Sequence, residues 1–574
     1  MEKLRCGNEG CVGEGCVGEK RISTDPQDYV PGTVFHEWRE YQRETVEWAV
    51  QEFENTRRIV AFDGPTGCGK SLTGVAVGAA LGVRTIYLCH SKQLQDQLVR
   101  DFPRAAVLKG RSNYPCKAMK GLTCDLCSHD PKSPCMFAGK MEFDDNGVFL
   151  RWNPRPECHY KLAKIKALEA DVLIANYALF LHEANYVGAL SGRPLMVIDE
   201  ADMIDGALVG HVSLAVTRKD IDKYDLGYPE DEDSLPSWIQ WSDGALMVMS
   251  DVVEALRSDI QEYIFSGGNP PKERVAEIRR AKTVYGKIKM FNSWVEDDWV
   301  LDNTVEDQWV FKPIWADKLA ERLLLRHSQH ILAMSGTMPR PKFWGSDLGV
   351  DPSLIAYREI ESTFPVENRP IVITNSVEMR YYRNKADRID KVYKKMMPDV
   401  DAILDYHTDH RGIVHTVSNE IRDYIMQNSR HSHRMVSHDT KSRGDVAKHF
   451  MEDTSGYPQV LVSPSFSRGL DLKDDRGRFQ IVTKIPYASL GDLQTKTRLN
   501  DGERGNNWYN GMAARDLVQM AGRVVRSLDD WGKTYIIDAR FRRFYMDNLR
   551  FFPDNFKRAV TFADPDHIPL QRNN

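Results

Sequence analysis

Residues 57–81, RRIVAFDGPTGCGKSLTGVAVGAAL, leave this chain few folds to choose from. A short apolar strand, Ile59 to Phe62, runs into Gly64-x4-Gly69-Lys70-Ser71 and then into a helix of small residues. Glycines at that spacing let the backbone turn its N–H groups inward around phosphates. Gly64, Thr66, Gly67 and Gly69 form the cradle, Lys70 neutralises the β and γ oxygens, and Ser71 is placed to ligate magnesium. A glycine-rich turn arising by chance is the bland alternative, and the full match in its strand-loop-helix setting outweighs it.

With 574 residues the chain exceeds a single core, so several compact units are expected. An apolar fraction of 42% and a charged fraction of 28% are those of a soluble globular protein and exclude a disordered or fibrous one. A net charge of -5 argues against wholesale attraction to nucleic acid and leaves room for a local basic groove. No apolar run is long enough to span a bilayer, and MEKLRCGNEGC lacks the apolar core of a signal peptide. The expected location is the cytoplasm or nucleoid, or the host cytoplasm for a viral chain, with no membrane partner.

All ten cysteines lie at or before Cys158. That distribution excludes a disulfide framework for the whole molecule, and in a reducing compartment a local cluster binds metal more often than it forms bridges. The densest stretch, CKAMKGLTCDLCSHDPKSPC at 116–135, has no hydrophobic period of its own. Four thiolates suit structural zinc and an iron-sulfur cluster alike, and spacing alone does not separate them. The tandem GCVGEGCVGE, with Cys6, Cys11 and Cys16, reads as a flexible glycine-rich tail over residues 1–30.

RPLMVIDEAD ends an apolar strand in Asp199 and Glu200, the place for a magnesium-holding carboxylate and a second that polarises water. Two acids at a strand end are usually solvated; paired with Lys70 they become a catalytic set. The strands TIYLCH, DVLIANY, HILAMSG, RGIVHTVS, QVLVSPS, FQIVTKI and TYIIDAR alternate with helical segments, the pattern of parallel α/β sheets. They fall into two groups on either side of about residue 365, and only the first has a phosphate loop. In the second, ARDLVQMAGRVVRS read as a helix places Gln519, Arg523 and Arg526 on one face. A solvated basic face is the plain reading; two guanidiniums beside a glutamine also suit a γ-phosphate presented by a facing domain.

The ordered set GPTGCGKS, DEAD, SGTM (335–338), GIVHTVS (412–418), SPSFSRGLDL (463–472) and QMAGRVVR (519–526) resembles a superfamily 2 helicase. GRSNYPC (110–116), ECHYKLAKIKALEADVLIANYALF (157–180) and ESTFPVENRP (361–370) resemble, more narrowly, the XPD/DinG family of iron-sulfur DNA helicases. The resemblance runs from about residue 35 to 545. It implies an α/β fold of two RecA-like motor domains with an iron-sulfur insertion and a mainly helical Arch insertion. On that pattern motor domain 1 occupies 31–109, 161–210 and 326–360, the iron-sulfur domain 110–160, the Arch 211–325, and motor domain 2 361–574.

The resemblance also implies ligands and contacts. Cys116 and Cys158 match the first and last cysteines of a [4Fe-4S] site; Cys124, Cys127 and Cys135 compete for the two middle places, with Cys127 and Cys135 favoured. WREYQRE resembles the family's Q-type motif, which puts Arg39 and Gln42 at the adenine of ATP. Thr416, Ser418, Ser467 and Arg468 are the implied holders of DNA phosphates. Single-stranded DNA and forked or tailed duplexes are the implied partners, 5′ to 3′ the implied direction, and a monomer the implied state.

Residues between Asp202 and Ser335 are too many for a connection and constitute a domain. Within it 241–265 and 273–298 read as helices and WVLDNTVEDQWVFKPI as two strands around a polar turn. Its Trp294, Trp299, Trp309 and Trp315 suit core packing ahead of base stacking. The letters DEAD invite comparison with DEAD-box RNA helicases, but SGT in place of SAT, QMAGRVVR in place of HRIGRxGR, and the cysteine-rich insertion favour DNA. A translocase that displaces proteins or R-loops uses the same parts. Nothing in the motifs separates repair from replication.

Overall fold

The computed structural model describes residues 22–127, 135–139, 141–143, 145, 149–152, 155–466, 470 and 472–562. Two seven-stranded sheets organise it. In the first, the strands run in the order Ile355–Glu359, Ile59–Asp63, His330–Ser335, Leu195–Asp199, Thr85–Cys89, Val172–Asn176 and Ala106–Val107, every pair parallel. In the second the order is Met435–Val436, Val460–Ser463, Gly412–His415, Phe479–Val482, Lys533–Asp538, Ile371–Val377 and Val560–Phe562, again parallel throughout. Helices cover both faces, so the strands are apolar along their whole length rather than alternating. Ile59 and Ala61 pack into one core and Val60 and Phe62 into the other. Such sheets place ligands beyond the carboxyl ends of their strands, where the phosphate loop and the Asp199–Glu200 pair lie.

Two insertions leave the first unit. Residues 110–127 and 135–158 carry the cysteines, with a small antiparallel pair, Met141–Phe143 against Phe149–Trp152. The second insertion is built on two long helices, Leu235–Phe265 and Lys272–Trp294, packed along each other. The expected strands are present as Val300–Asp302 and Gln308–Lys312, joined by a third, Leu214–Thr217, that the sequence reading lacks. Trp299 and Trp309 are buried in this core, and Trp238 packs against Trp309 with ring centroids 5.1 Å apart.

Two expectations need correction. Residues 22–30 are not part of a loose tail: Ile22 and Val30 are buried in the first unit, and the Ile22 N–H donates to Glu47. Cys6, Cys11 and Cys16 lie outside the described residues. The helix expected over 514–527 stops at Ala521, where Gly522 caps it, so Arg523 and Arg526 sit on the turn that follows. Among the described residues no helix is long and apolar enough to cross a membrane.

Candidate functional site

A cleft of about 500 Å³ opens between the two sheet units. Lys70, Ser71, Asp199 and Glu200 line it from the first unit, and Gln519, Arg523 and Arg526 line it from the second. The floor is the phosphate loop. Gly69 has φ 84° and directly precedes the Lys70–Leu81 helix, and a Cβ there would stand 1.9 Å from the Gln42 amide nitrogen. Only glycine satisfies both the left-handed backbone and that approach. The Gln42 Nε2 donates to the Gly69 carbonyl at 2.9 Å and its Oε1 accepts the Arg39 N–H at 2.6 Å, while the Arg39 guanidinium donates to the Gly67 carbonyl. Arg39 and Gln42 are therefore built onto the loop, at the rim of the same cleft as Thr66, Gly67 and Gly69. Gly64 opens the loop, and its carbonyl accepts the Lys70 Nζ at 2.7 Å.

Asp199 is buried at the end of its strand, and burial raises its carboxyl to about 6 against the pull of the Lys70 charge. Its Oδ2 accepts the Tyr87 hydroxyl at 2.7 Å and its Oδ1 the Glu200 N–H at 3.0 Å. Tyr177 donates to the Asp199 main-chain carbonyl. Glu200 takes φ 56°, a left-handed turn that swings its side chain off the line of the strand. A carboxylate beside a Ser hydroxyl, facing a lysine-bearing loop, is a hard oxygen donor set of the kind magnesium uses with nucleotide phosphates. The residues present fit that ion.

A side-chain relay joins the two units. The Ser335 hydroxyl donates to Asp202 Oδ1 at 2.6 Å, the Thr337 hydroxyl to Asp202 Oδ2 at 3.1 Å, and Gln519 Nε2 to Thr337 Oγ1 at 2.9 Å. DEAD, SGTM and the second unit's glutamine thus form one hydrogen-bonded chain. Arg523 donates to the Leu470 carbonyl at 2.9 Å, which ties it to the 463–472 segment.

The implied DNA contacts divide. Thr416 is buried, and its hydroxyl donates to the Ser418 carbonyl at 3.0 Å. Ser418 caps the Asn419–Asn428 helix, its Oγ accepting the Ile421 N–H, so a helix N-terminus is presented there. Ser467 and Arg468 lie outside the described residues.

Cysteines from distant positions converge. Cys158 precedes the His159–Glu169 helix, and its sulfur lies 3.9 Å from that of buried Cys124, which also contacts the Pro115 carbonyl. Burial and the neighbouring Cys135, Cys116 and Cys158 all push the Cys127 thiol up. Cys116 is held by its N–H to the Leu122 carbonyl at 2.8 Å. The seven described cysteines are all free thiols. Among the described residues no three metal-ligating side chains stand close enough to share a single ion. Cys116, Cys124, Cys127, Cys135 and Cys158 bring soft sulfur donors together in one insertion, a donor set that fits zinc and an iron-sulfur cluster alike in chemistry.

Tyr87 is absent from the sequence expectations. A lone tyrosine in the apolar run TIYLCH reads as core, and no local pattern says that its hydroxyl reaches a carboxylate 112 positions away.

Residues 35–201 match the family model described as type III restriction enzyme, res subunit, and residues 408–557 match the helicase C-terminal domain. The probable ATP-dependent helicase MJ0942 of Methanocaldococcus jannaschii is 20% identical, over 86% of this chain and 90% of that protein. The regulator of telomere elongation helicase 1 homolog of Drosophila grimshawi is 41% identical, but only over 13% of this chain and 9% of that protein. Among solved structures, an XPD helicase superposes with a TM-score of 0.65 at 17% identity, covering 92% of this chain and all of that one. Xpd4 of S. tokodaii gives 0.56 at 13% identity, covering 92% of this chain and 100% of that one. At such identities the structural likeness is one of fold, and the ordered motifs and the two family matches add to it.

Proposed function

We propose that this chain is an XPD/DinG-like superfamily 2 ATP-dependent helicase that moves along single-stranded DNA, 5′ to 3′, and unwinds forked or tailed duplexes. The observation that carries the reading is the cleft itself, with Lys70, Ser71, Asp199 and Glu200 on one wall and Gln519, Arg523 and Arg526 on the other. A γ-phosphate between those walls meets a full set of charges only when the units close, so hydrolysis and domain closure become one event.

In this reading the loop amides and the Lys70 ammonium hold the β and γ phosphates, Lys70 leaving the Gly64 carbonyl to do so. Glu200 orients the attacking water and takes its proton. Arg523 and Arg526 stabilise charge on the γ oxygens from across the cleft. Ser71 and Asp199 would hold a magnesium ion, which would supply charge neutralisation at the phosphates. Arg39 and Gln42, fixed to the loop, read the base. When phosphate leaves, the Gln519–Thr337–Asp202 relay carries the change to SGTM and the strand-binding surface. That surface includes Ser418 and the 463–472 segment, with Ser467 and Arg468 as phosphate contacts. Cys116, Cys127, Cys135 and Cys158 would hold a [4Fe-4S] cluster, which would cross-link the insertion so that it can serve as a wedge at the duplex junction.

Lys70→Ala tests the site. ATP hydrolysis is expected to fall at least about a hundredfold, the scale of losing one preorganised charge from such a centre, with single-strand binding retained. Normal turnover would remove the phosphate-loop assignment. Duplexes tailed on one end only test polarity: the 5′-tailed substrate is expected to open and the 3′-tailed one to stay closed.

A further inference from the structure

The carboxylate at the end of the DEAD strand is oriented by a residue that no motif contains. Tyr87 lies in the middle of the Thr85–Cys89 strand, in register with Val197 of the neighbouring strand and with no exposed surface. Its hydroxyl donates to Asp199 Oδ2 at 2.7 Å. Ser71, on the phosphate-loop helix, stands near enough to the same oxygen to pull its proton affinity down. Gly74 on the same helix leaves room beside the ring: a Cβ there would stand 2.9 Å from Val197 Cγ1 and 3.1 Å from Tyr87 Cε2, tighter than most packed contacts.

We propose that Tyr87 is a positioning residue of the nucleotide site, whose hydroxyl holds the Asp199 carboxylate turned toward one divalent cation. This rests on the reading of Ser71 and Asp199 as the metal's protein ligands. A tyrosine that only filled the core could donate to any nearby acceptor; this one donates, from a separate strand, to the buried carboxylate that lines the cleft. Without the hydroxyl, Asp199 Oδ2 keeps its burial and loses its donor. Groups that orient metal ligands from behind are known to matter for affinity almost as much as the ligands do.

The test is Tyr87→Phe, which keeps the ring and its packing and removes the hydroxyl alone. Binding of a fluorescent ADP is measured without metal, and Mn2+ binding to the protein–ADP complex is followed by electron paramagnetic resonance. Metal-free ADP affinity is expected to change less than about twofold, while Mn2+ affinity falls roughly tenfold, the size of other losses behind a metal ligand. ATPase is expected to recover in part at high Mg2+, with KM for ATP close to wild type once the metal saturates. A Tyr87→Phe protein that binds Mn2+ as tightly as wild type would overturn the proposal, even if its melting temperature fell, because the residue would then be packing only. If wild type itself showed no Mn2+-dependent ADP binding, the reading of the site would fail and this proposal with it.

Discussion

Asp347 faces a conflict that its neighbours only partly relieve. It sits in the Pro341–Leu348 helix of the first unit, 8% exposed, and burial together with Asp205 raises its carboxyl to about 7 against the opposing pull of Arg515, Arg498 and Arg504. Its ordinary value is 3.8, so between about pH 4 and pH 7 the folded protein holds a proton that the unfolded chain has released. Stability supplied by this group is therefore present at the acid end of that window, declines as pH rises through about 7, and is flat above it. Asp347→Asn is expected to raise the melting temperature at pH 8 by a few degrees and to change it little at pH 5. Equal losses at both values would mean that the three arginines hold Asp347 as an anion instead. No sequence pattern marks this residue, because its environment is assembled from four separate segments.

At the scale of elements, the Gly502–Ala521 helix works as a strut. Twenty residues span about 30 Å, rigid over that length. Its far end carries Gln519 into the nucleotide cleft. Its near end meets the Arch insertion: Arg504 pairs with Asp317 at 2.9 Å and stacks 3.9 Å from the Trp315 ring centre. Arg498, on the helix just before, lies between Trp315 and Trp508 and forms a buried ion pair with Asp205 at 2.7 Å. One rigid helix thus contacts both the nucleotide cleft and the second insertion. Gln519→Ala is expected to leave ATP binding close to wild type and to lower DNA-stimulated hydrolysis about tenfold or more, because the relay to Thr337 is cut. Retained stimulation by DNA, measured by phosphate release, would count against the relay. The phosphate loop and the parallel strands were legible in the sequence because local chemistry dictates them: glycine where φ is positive, apolar runs where both faces are covered. Where the Gln519 helix stops was not, since Gly522 inside an otherwise helical pattern is a cap only in its tertiary setting. The third Arch strand, Leu214–Thr217, was equally hidden, as its partner Gln308–Lys312 lies far away in the chain.

Across the whole molecule, the cysteine insertion is tied to the Arch by the loop its thiols enclose. Asp125 lies between Cys124 and Cys127, and its carboxylate accepts Arg279 of the long Lys272–Trp294 helix at 2.9 Å. Arg279 also reaches the Thr123 hydroxyl, and Lys282 donates to the Asp125 carbonyl at 2.8 Å. Whatever fixes Cys124 and Cys127, on either side of Asp125, therefore also fixes the contact between this insertion and the Lys272–Trp294 helix. The nucleotide cleft shares no residue with this contact. The two functions should thus separate under mutation. Cys116→Ser is expected to lose visible absorption, iron and acid-labile sulfide, to retain most ATPase activity on single strands, and to lose most strand separation. The ligand assignment is checked by absorption and metal content, and the separation by running both activities on one preparation. An unchanged spectrum would mean that Cys116 is not a ligand. A spectrum lost together with unwinding and ATPase in equal measure would mean that the insertion supports the motor's folding, and that the wedge and the engine are not independent parts.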